Sequence, residues 1–243
     1  MDDLPGGAAQ NQETAAGLNH SVKPRARNTH GILPEIRSIH LAIKSDIEAR
    51  LASFRELWLH GSGEELLCEL VFCLLTPQSR ARQCEKALGL LVERDLIING
   101  SFDDLSATLN IVRFRNTKAA NIIQLRQQML YNGGIILRRE LEARNSAMQM
   151  REWLAGSVHG MGLKEASHYL RNIGLGDDLA ILDRHILKNL ALLGVIPDVP
   201  STQTPKRYLE TESLMRAFAR RTRIPMAHLD FVLWYRETGD IFK

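Results

Sequence analysis

The sequence predicts an all-α fold, and three observations carry that expectation. From Leu33 onward the apolar residues recur at helical spacing almost without interruption. No stretch alternates apolar and polar residues for long enough to form a half-buried strand, and no segment repeats at a solenoid period. The 243 residues, 44% hydrophobic and 24% charged, have an ordinary globular composition. They are enough to bury a core as one large domain or two small lobes.

Residues 1 to about 30 contain no Ile, Phe, Trp or Tyr and are rich in Ala, Gly, Asn and Gln. Such a stretch buries too little apolar surface to offset its ordering entropy, so a mobile tail is expected there, with Lys23, Arg25 and Arg27 at its basic end. The helical domain then covers 31–243. Ile36, Ile39, Ile43 and Ile47 form an apolar stripe that continues through Leu51 and Phe54. Residues 66–75 are apolar nearly all round, which suits a central buried helix. After Thr76-Pro77 a helix runs through Ala81, Cys84 and Leu88 to Leu91, followed by a short one over 102–109. Further helices are expected over about 117–130 and 148–158.

The three cysteines, Cys68, Cys73 and Cys84, lack a Cys-x-x-Cys pair and lie among apolar helical residues, where they read as small core hydrophobes. A net charge of +3 permits a local basic face without demanding a nucleic-acid partner. No apolar run approaches a membrane span, and Met1-Asp2-Asp3 is no signal peptide. A soluble, reduced, intracellular protein is expected.

The segment richest in chemistry is Val158-His159-Gly160-Met161-Gly162-Leu163-Lys164-Glu165-Ala166. Two glycines two apart between helical patterns allow a sharp turn at positive φ. The next helix carries Ala166, Tyr169, Leu170 and Ile173 on one face and stops at Gly174. Helix, tight glycine hairpin and helix thus span about 150–174. First-turn amides of the second helix point outward, where a phosphate can accept from them. Lys164 stands at the mouth of the hairpin and at the positive end of a helix, a location that favours the neutral amine, the form that attacks carbon electrophiles.

Nineteen positions later comes Asp183, ahead of a helix with Ile186, Leu187, Leu190 and Leu193 on its apolar face, ended by Gly194 and Pro197. Asp183 is a sound N-cap. As an anion it can also stabilise positive charge developing on a sugar ring. His185, in the first turn, reads equally as a phosphate donor or as a structural histidine.

These residues resemble those of the helix-hairpin-helix DNA glycosylase superfamily. The ending Asp230-Phe-Val-Leu-Trp234-Tyr-Arg-Glu-Thr-Gly-Asp-Ile-Phe-Lys243 narrows the resemblance to the second, archaeal-type class of 8-oxoguanine DNA glycosylases, whose chains end on a lysine shortly after a helix with Leu-Trp-Tyr. The resemblance covers about residue 33 to the end. It implies a two-lobed all-α fold with a central cleft that receives a base flipped out of the duplex. It also implies that Lys164 attacks C1′ and forms a Schiff base, with Asp183 as the carboxylate beside it. Gly160 and Gly162 then grip the lesion strand, Trp234 stacks on the extruded base and Lys243 recognises it. Phe114, within Val112-Arg-Phe114-Arg-Asn116, would close the other face of the base. Gln78, within Thr76-Pro77-Gln78-Ser79, would enter the gap in the duplex. The implied partner is double-stranded DNA with a damaged base, bound by a monomer. No cofactor is implied beyond a monovalent cation at the hairpin.

Two departures stand out. Superfamily members often carry Gly-Pro ahead of the catalytic aspartate, where this chain reads Leu179-Ala-Ile-Leu182-Asp183. The four-cysteine motif of the iron–sulfur branch is absent, as nothing after Cys84 is a cysteine. Other readings remain open at this level: a glycosylase of the same fold for another damaged base, a non-catalytic DNA clamp using the hairpin and the basic stretch 216–223, or a helical adaptor.

Overall fold

A computed structural model describes residues 31–242, so the expected tail and Lys243 lie outside the described residues. Two hydrophobic cores organise the chain. The first is enclosed by α2 (Gly63–Leu75), α3 (Ala81–Glu93), α4 (Leu96–Asn99), α5 (Phe102–Thr108), α6 (Arg115–Met129), α7 (Leu137–Glu142), α8 (Ala147–Ser157) and α9 (Leu163–Asn172). The second is built by α1 (Ile32–His60), α10 (Arg184–Leu192), α11 (Pro205–Thr222) and α12 (Met226–Thr238). The chain thus begins in one lobe, builds the other, and returns.

Local sequence explains most of these elements. The α1 stripe buries Ile36, Ile43, Ile47, Leu51 and Phe54, with Ile39 half-buried at its edge. Ser62 and Glu65 form a reciprocal capping box at the start of α2, as Ser101 and Asp104 do for α5. Central α2 is buried on nearly every side, including Glu69, whose carboxylate accepts from Asn172 Nδ2 at 2.6 Å. Cys73 and Cys84 are buried among apolar neighbours and Cys68 is half-buried. α11 starts with Thr204 as cap and Pro205 in the first turn, where a missing N–H costs nothing. A two-residue hairpin, β1 (Leu130–Tyr131) with β2 (Gly134–Ile135), is too short to show as alternation in the sequence. No helix among the described residues is long and apolar enough to cross a membrane.

The passage between lobes is the demanding part. Gly174 ends α9 at φ +74°, and a Cβ there would meet Arg55 Cα at 2.7 Å, so the turn needs both the backbone freedom and the small size of glycine. Residues 177–183 then cross without helix or strand, yet Leu179 enters the first core while Ala180 and Leu182 enter the second. Buried peptide groups there must find partners. Tyr208 Oη donates to the Ala180 carbonyl at 2.5 Å, and Ala180 N–H donates to Glu212 Oε1 at 2.8 Å. Arg151 of α8 holds Glu212 in a fork, Nη1 to Oε1 at 2.6 Å and Nη2 to Oε2 at 3.0 Å, with both side chains at most 3% exposed. A two-pronged guanidinium–carboxylate pair of this kind fixes direction as well as distance.

Removing one partner of a buried pair leaves the other charge uncompensated, at a cost of about 3–5 kcal/mol. Glu212→Ala is therefore expected to lower stability by about that amount in urea unfolding. Glu212→Gln, which keeps an acceptor for Ala180, should lose less. Equal losses for the two variants would show that the charge, not the acceptor for Ala180, carries the whole effect.

Candidate active site

Val158 and Met161 are buried in the first core and anchor the hairpin between α8 and α9. Gly160 turns at φ +82°, and a Cβ there would fall 2.1 Å from Asn121 Nδ2. Asn121 Oδ1 in turn lies 2.9 Å from His159 Nδ1, so α6 is fitted against the turn. Gly162 differs from the expectation of paired positive φ values. It is extended at φ −98°, because it serves as the N-cap of α9 and a cap residue takes β-region backbone. Its N–H donates to Glu165 Oε2 at 3.2 Å, while Glu165 Oε1 lies 3.1 Å from Lys164 Nζ. One carboxylate thus joins the hairpin to the lysine, and that ion pair has to open before the amine can attack carbon.

Lys164 points into a cavity of about 660 Å³ between the lobes, lined also by Asp183, His185 and Trp234. Four of the sequence candidates therefore meet in one place. Asp183 is the N-cap of α10, its Oδ1 accepting from Ile186 N–H at 2.8 Å. The His185 ring meets the Trp234 ring edge-on, with centroids 5.2 Å apart, and its Nδ1 is 3.8 Å from Glu237 Oε2. Hydrogen bonds from Lys188 and Asn189 hold Glu237 below the usual carboxylate range, so an anion backs the imidazole. Trp234 is half-buried and faces the cavity, whereas Val232 and Leu233 beside it are buried in the core.

The remaining candidates lie apart. Gln78 is exposed between Thr76 and Ser79, which do line the cavity. Phe114 is 52% exposed, outside the cavity wall, with the Arg113 guanidinium 5.3 Å from its ring centre. Lys243 lies outside the described residues, which end at Phe242. Phe242 is buried in the first core, the Arg82 guanidinium covers its ring at 4.6 Å and also pairs with Asp240, and both Phe242 and Asp240 line the cavity.

Sequence reasoning missed a charged pair in the cavity wall. Arg171 Nη1 and Asp230 Oδ2 are 3.2 Å apart and nearly buried, with the guanidinium 4.5 Å from the centre of the Phe231 ring. Burial pushes the Asp230 carboxyl up to about 6, against the pull of Arg171. Arg171 lies in the helix after the hairpin and Asp230 opens the C-terminal segment, and their partnership spans two helices far apart in sequence, so periodicity held no signal for it.

Comparison with known proteins gives a consistent picture. A family model described as 8-oxoguanine DNA glycosylase matches residues 47–224. The chain is 44% identical to an 8-oxoguanine DNA glycosylase/AP lyase of Fusobacterium nucleatum, covering 86% of this chain and 96% of that one. It is 37% identical to one from Korarchaeum cryptofilum, covering 83% and 92%. Among solved structures, the 8-oxoguanine DNA glycosylase of Thermotoga maritima superimposes with a TM-score of 0.79 at 31% identity, covering 88% of this chain and 100% of that one. The Methanocaldococcus jannaschii 8-oxoguanine glycosylase/lyase in complex with a 15mer DNA containing 8-oxoguanine gives 0.79 at 30% identity, covering 87% and 99%.

The buried Asp230 has a measurable consequence. Its native carboxyl keeps the proton up to about pH 6, whereas an unfolded aspartate releases it near pH ~4. The native state thus binds more protons between those values, and stability falls as pH rises through that window. A shift of roughly two units corresponds to at most about 3 kcal/mol. Asp230→Asn should remove this slope, so the thermal midpoint of the wild type should decline relative to the variant from pH 4 to pH 6. Parallel pH profiles would show that the ion pair with Arg171 is fully formed throughout.

Proposed function

Because the chain belongs to the 8-oxoguanine DNA glycosylase family, we propose that it excises 8-oxoguanine from DNA and then cleaves the strand at the abasic site it has made. The observation that carries this reading is the convergence of a primary amine and a helix-capping carboxylate, each at the N-terminal end of a helix, on one inter-lobe cavity walled by a tryptophan. A clamp or an adaptor would have no use for that arrangement. The cavity is formed by one chain, consistent with action as a monomer.

In the proposed reaction a nucleotide swings out of the duplex and its base enters the cavity against the Trp234 ring. The Lys164 lone pair attacks C1′ as the C1′–N9 bond breaks, and the base departs with that electron pair and takes up a proton. Asp183 stabilises the positive charge that develops on the sugar, oriented for the task by the Ile186 amide. The adduct then opens its sugar ring to a Schiff base. Loss of a C2′ proton expels the 3′ phosphate and cuts the strand, and water finally releases Lys164. Amine and water supply every group transferred, so no cofactor is required. Hairpin amides near Gly160 would take a phosphate and hold the lesion strand in register. Stacking on Trp234 does not separate 8-oxoguanine from guanine, which differ at position 8 and in the proton on N7. Choice is assigned to Lys243, the residue after Phe242.

Borohydride quenching on a duplex with one 8-oxoguanine is expected to trap a covalent protein–DNA adduct, and Lys164→Gln should abolish the adduct, base release and nicking together. Persistent base release by Lys164→Gln would assign the attack to water. Asp183→Asn keeps the cap while removing the charge, so single-turnover excision should fall by roughly 10²–10³ with little change in melting temperature. Normal turnover with a lower melting temperature would reduce Asp183 to a cap. Lys243→Ala should slow 8-oxoguanine excision while sparing cleavage of a ready-made abasic site, and equal loss on both substrates would place base choice elsewhere.

A further inference from the structure

Two exposed side chains beside the cavity stand on left-handed backbone, Gln78 at φ 54° and Phe114 at φ 58°. Residues with a Cβ persist there only where their surroundings over-determine the conformation. One residue does this for both. Lys118, in the first turn of α6, is 4% exposed, and its ammonium donates to the Leu75 carbonyl at 2.6 Å, the Pro77 carbonyl at 3.1 Å and Ser79 Oγ at 2.8 Å. Both sequence neighbours of Gln78 are therefore fixed by it. Its backbone N–H donates to the Phe114 carbonyl at 3.0 Å, and Ser79 Oγ also accepts from Arg113 N–H at 3.1 Å, which ties the two turns together. All three ammonium protons are used, and bonds from a charged donor in a dry setting are the strong kind.

We propose that Lys118 is a positioning residue that holds Gln78 and Phe114 out beside the cavity, so that they occupy the space a base leaves when it swings out of the duplex. The proposal rests on the glycosylase reading. A flexible pair of turns would have to be ordered at each encounter with DNA, whereas turns already fixed avoid that cost. An amide and an aromatic ring are suited to the vacated site, one by hydrogen bonding and the other by stacking on the orphaned partner base. Lys118 itself does not line the cavity and reaches it only through Ser79, so its effect passes through the residues it holds.

The test compares excision of 8-oxoguanine from a fully paired duplex with excision from a short unpaired bubble, where leaving the stack is already easy. Lys118→Met is expected to slow single-turnover excision from the paired duplex at least 10-fold and from the bubble less than 3-fold. On top of the Gln78→Ala/Phe114→Ala pair it should add little further loss. Ser79→Ala, which removes the acceptor shared by Lys118 and Arg113, should show the same contrast at smaller amplitude, and it decides the matter if Lys118→Met folds poorly. A 2-aminopurine next to the lesion should brighten less in both variants than in the wild type. Equal losses on paired and bubble substrates, or full additivity with the Gln78 and Phe114 substitutions, would overturn the proposal and leave Lys118 a purely structural residue. Absence of excision by the wild type on both substrates would instead overturn the glycosylase reading, and this proposal with it.

Discussion

A segment with neither helix nor strand carries Asp183 from one lobe to the other, and it does so buried, where unpaired peptide groups are costly. What makes that possible is the acceptance of the Ala180 N–H by Glu212, the capture of its carbonyl by Tyr208, and the fork from Arg151 that aims the Glu212 carboxylate. Arg151 belongs to the helix before the hairpin, while Glu212 and Tyr208 belong to the opposite lobe. The same cluster therefore sets where the hairpin, with Lys164, stands relative to the strand of chain that delivers Asp183. Such a pair adds little net stability over well-packed apolar residues, and its value here is direction.

Helix N-termini then do the local work. α9 presents Lys164 and α10 presents Asp183, each within the first turn or at the cap, so both side chains take their orientation from rigid rods rather than from loops. α12 contributes from one helix both Asp230 and Trp234 to the cavity wall, one turn apart. Arg171, on the helix that carries Lys164, reaches Asp230 and lies over Phe231. Lysine, carboxylate and tryptophan are thus joined through contacts between helices, so a small shift of any one helix would be felt at all three.

The features legible in the sequence were those whose cause is local. Asp183 reads as a cap because its partner is three residues on, and the hairpin reads from glycine spacing. The α1 stripe and the all-round apolar α2 follow from periodicity. Trp234 was ambiguous because it ends a run of four consecutive apolar residues. A helix turns about 100° per residue, so one of them had to face away from the core, and only packing says which. Gly162 was misread because a glycine marks permissive backbone without saying which conformation is used. Arg151–Glu212, Arg171–Asp230 and the Lys118 clasp join positions tens of residues apart, and none of those residues differs locally from an ordinary surface charge.

A last crossing completes the geometry. After α12 the chain leaves the second lobe and inserts Phe242 into the first core, where it meets Phe72 at 6.3 Å between ring centres and is covered by Arg82. The lobes are thereby joined at the α1–α2 junction, by 177–183 along the cavity wall, and by the tail. A cleft tied at one edge alone could open by hinge motion, and the side chains on its walls would separate as it did. Joins at three points oppose that motion and favour a constant spacing of Lys164, Asp183 and Trp234. What lies outside the ties is free to move, the Lys164–Glu165 ion pair above all, which one side-chain rotation opens.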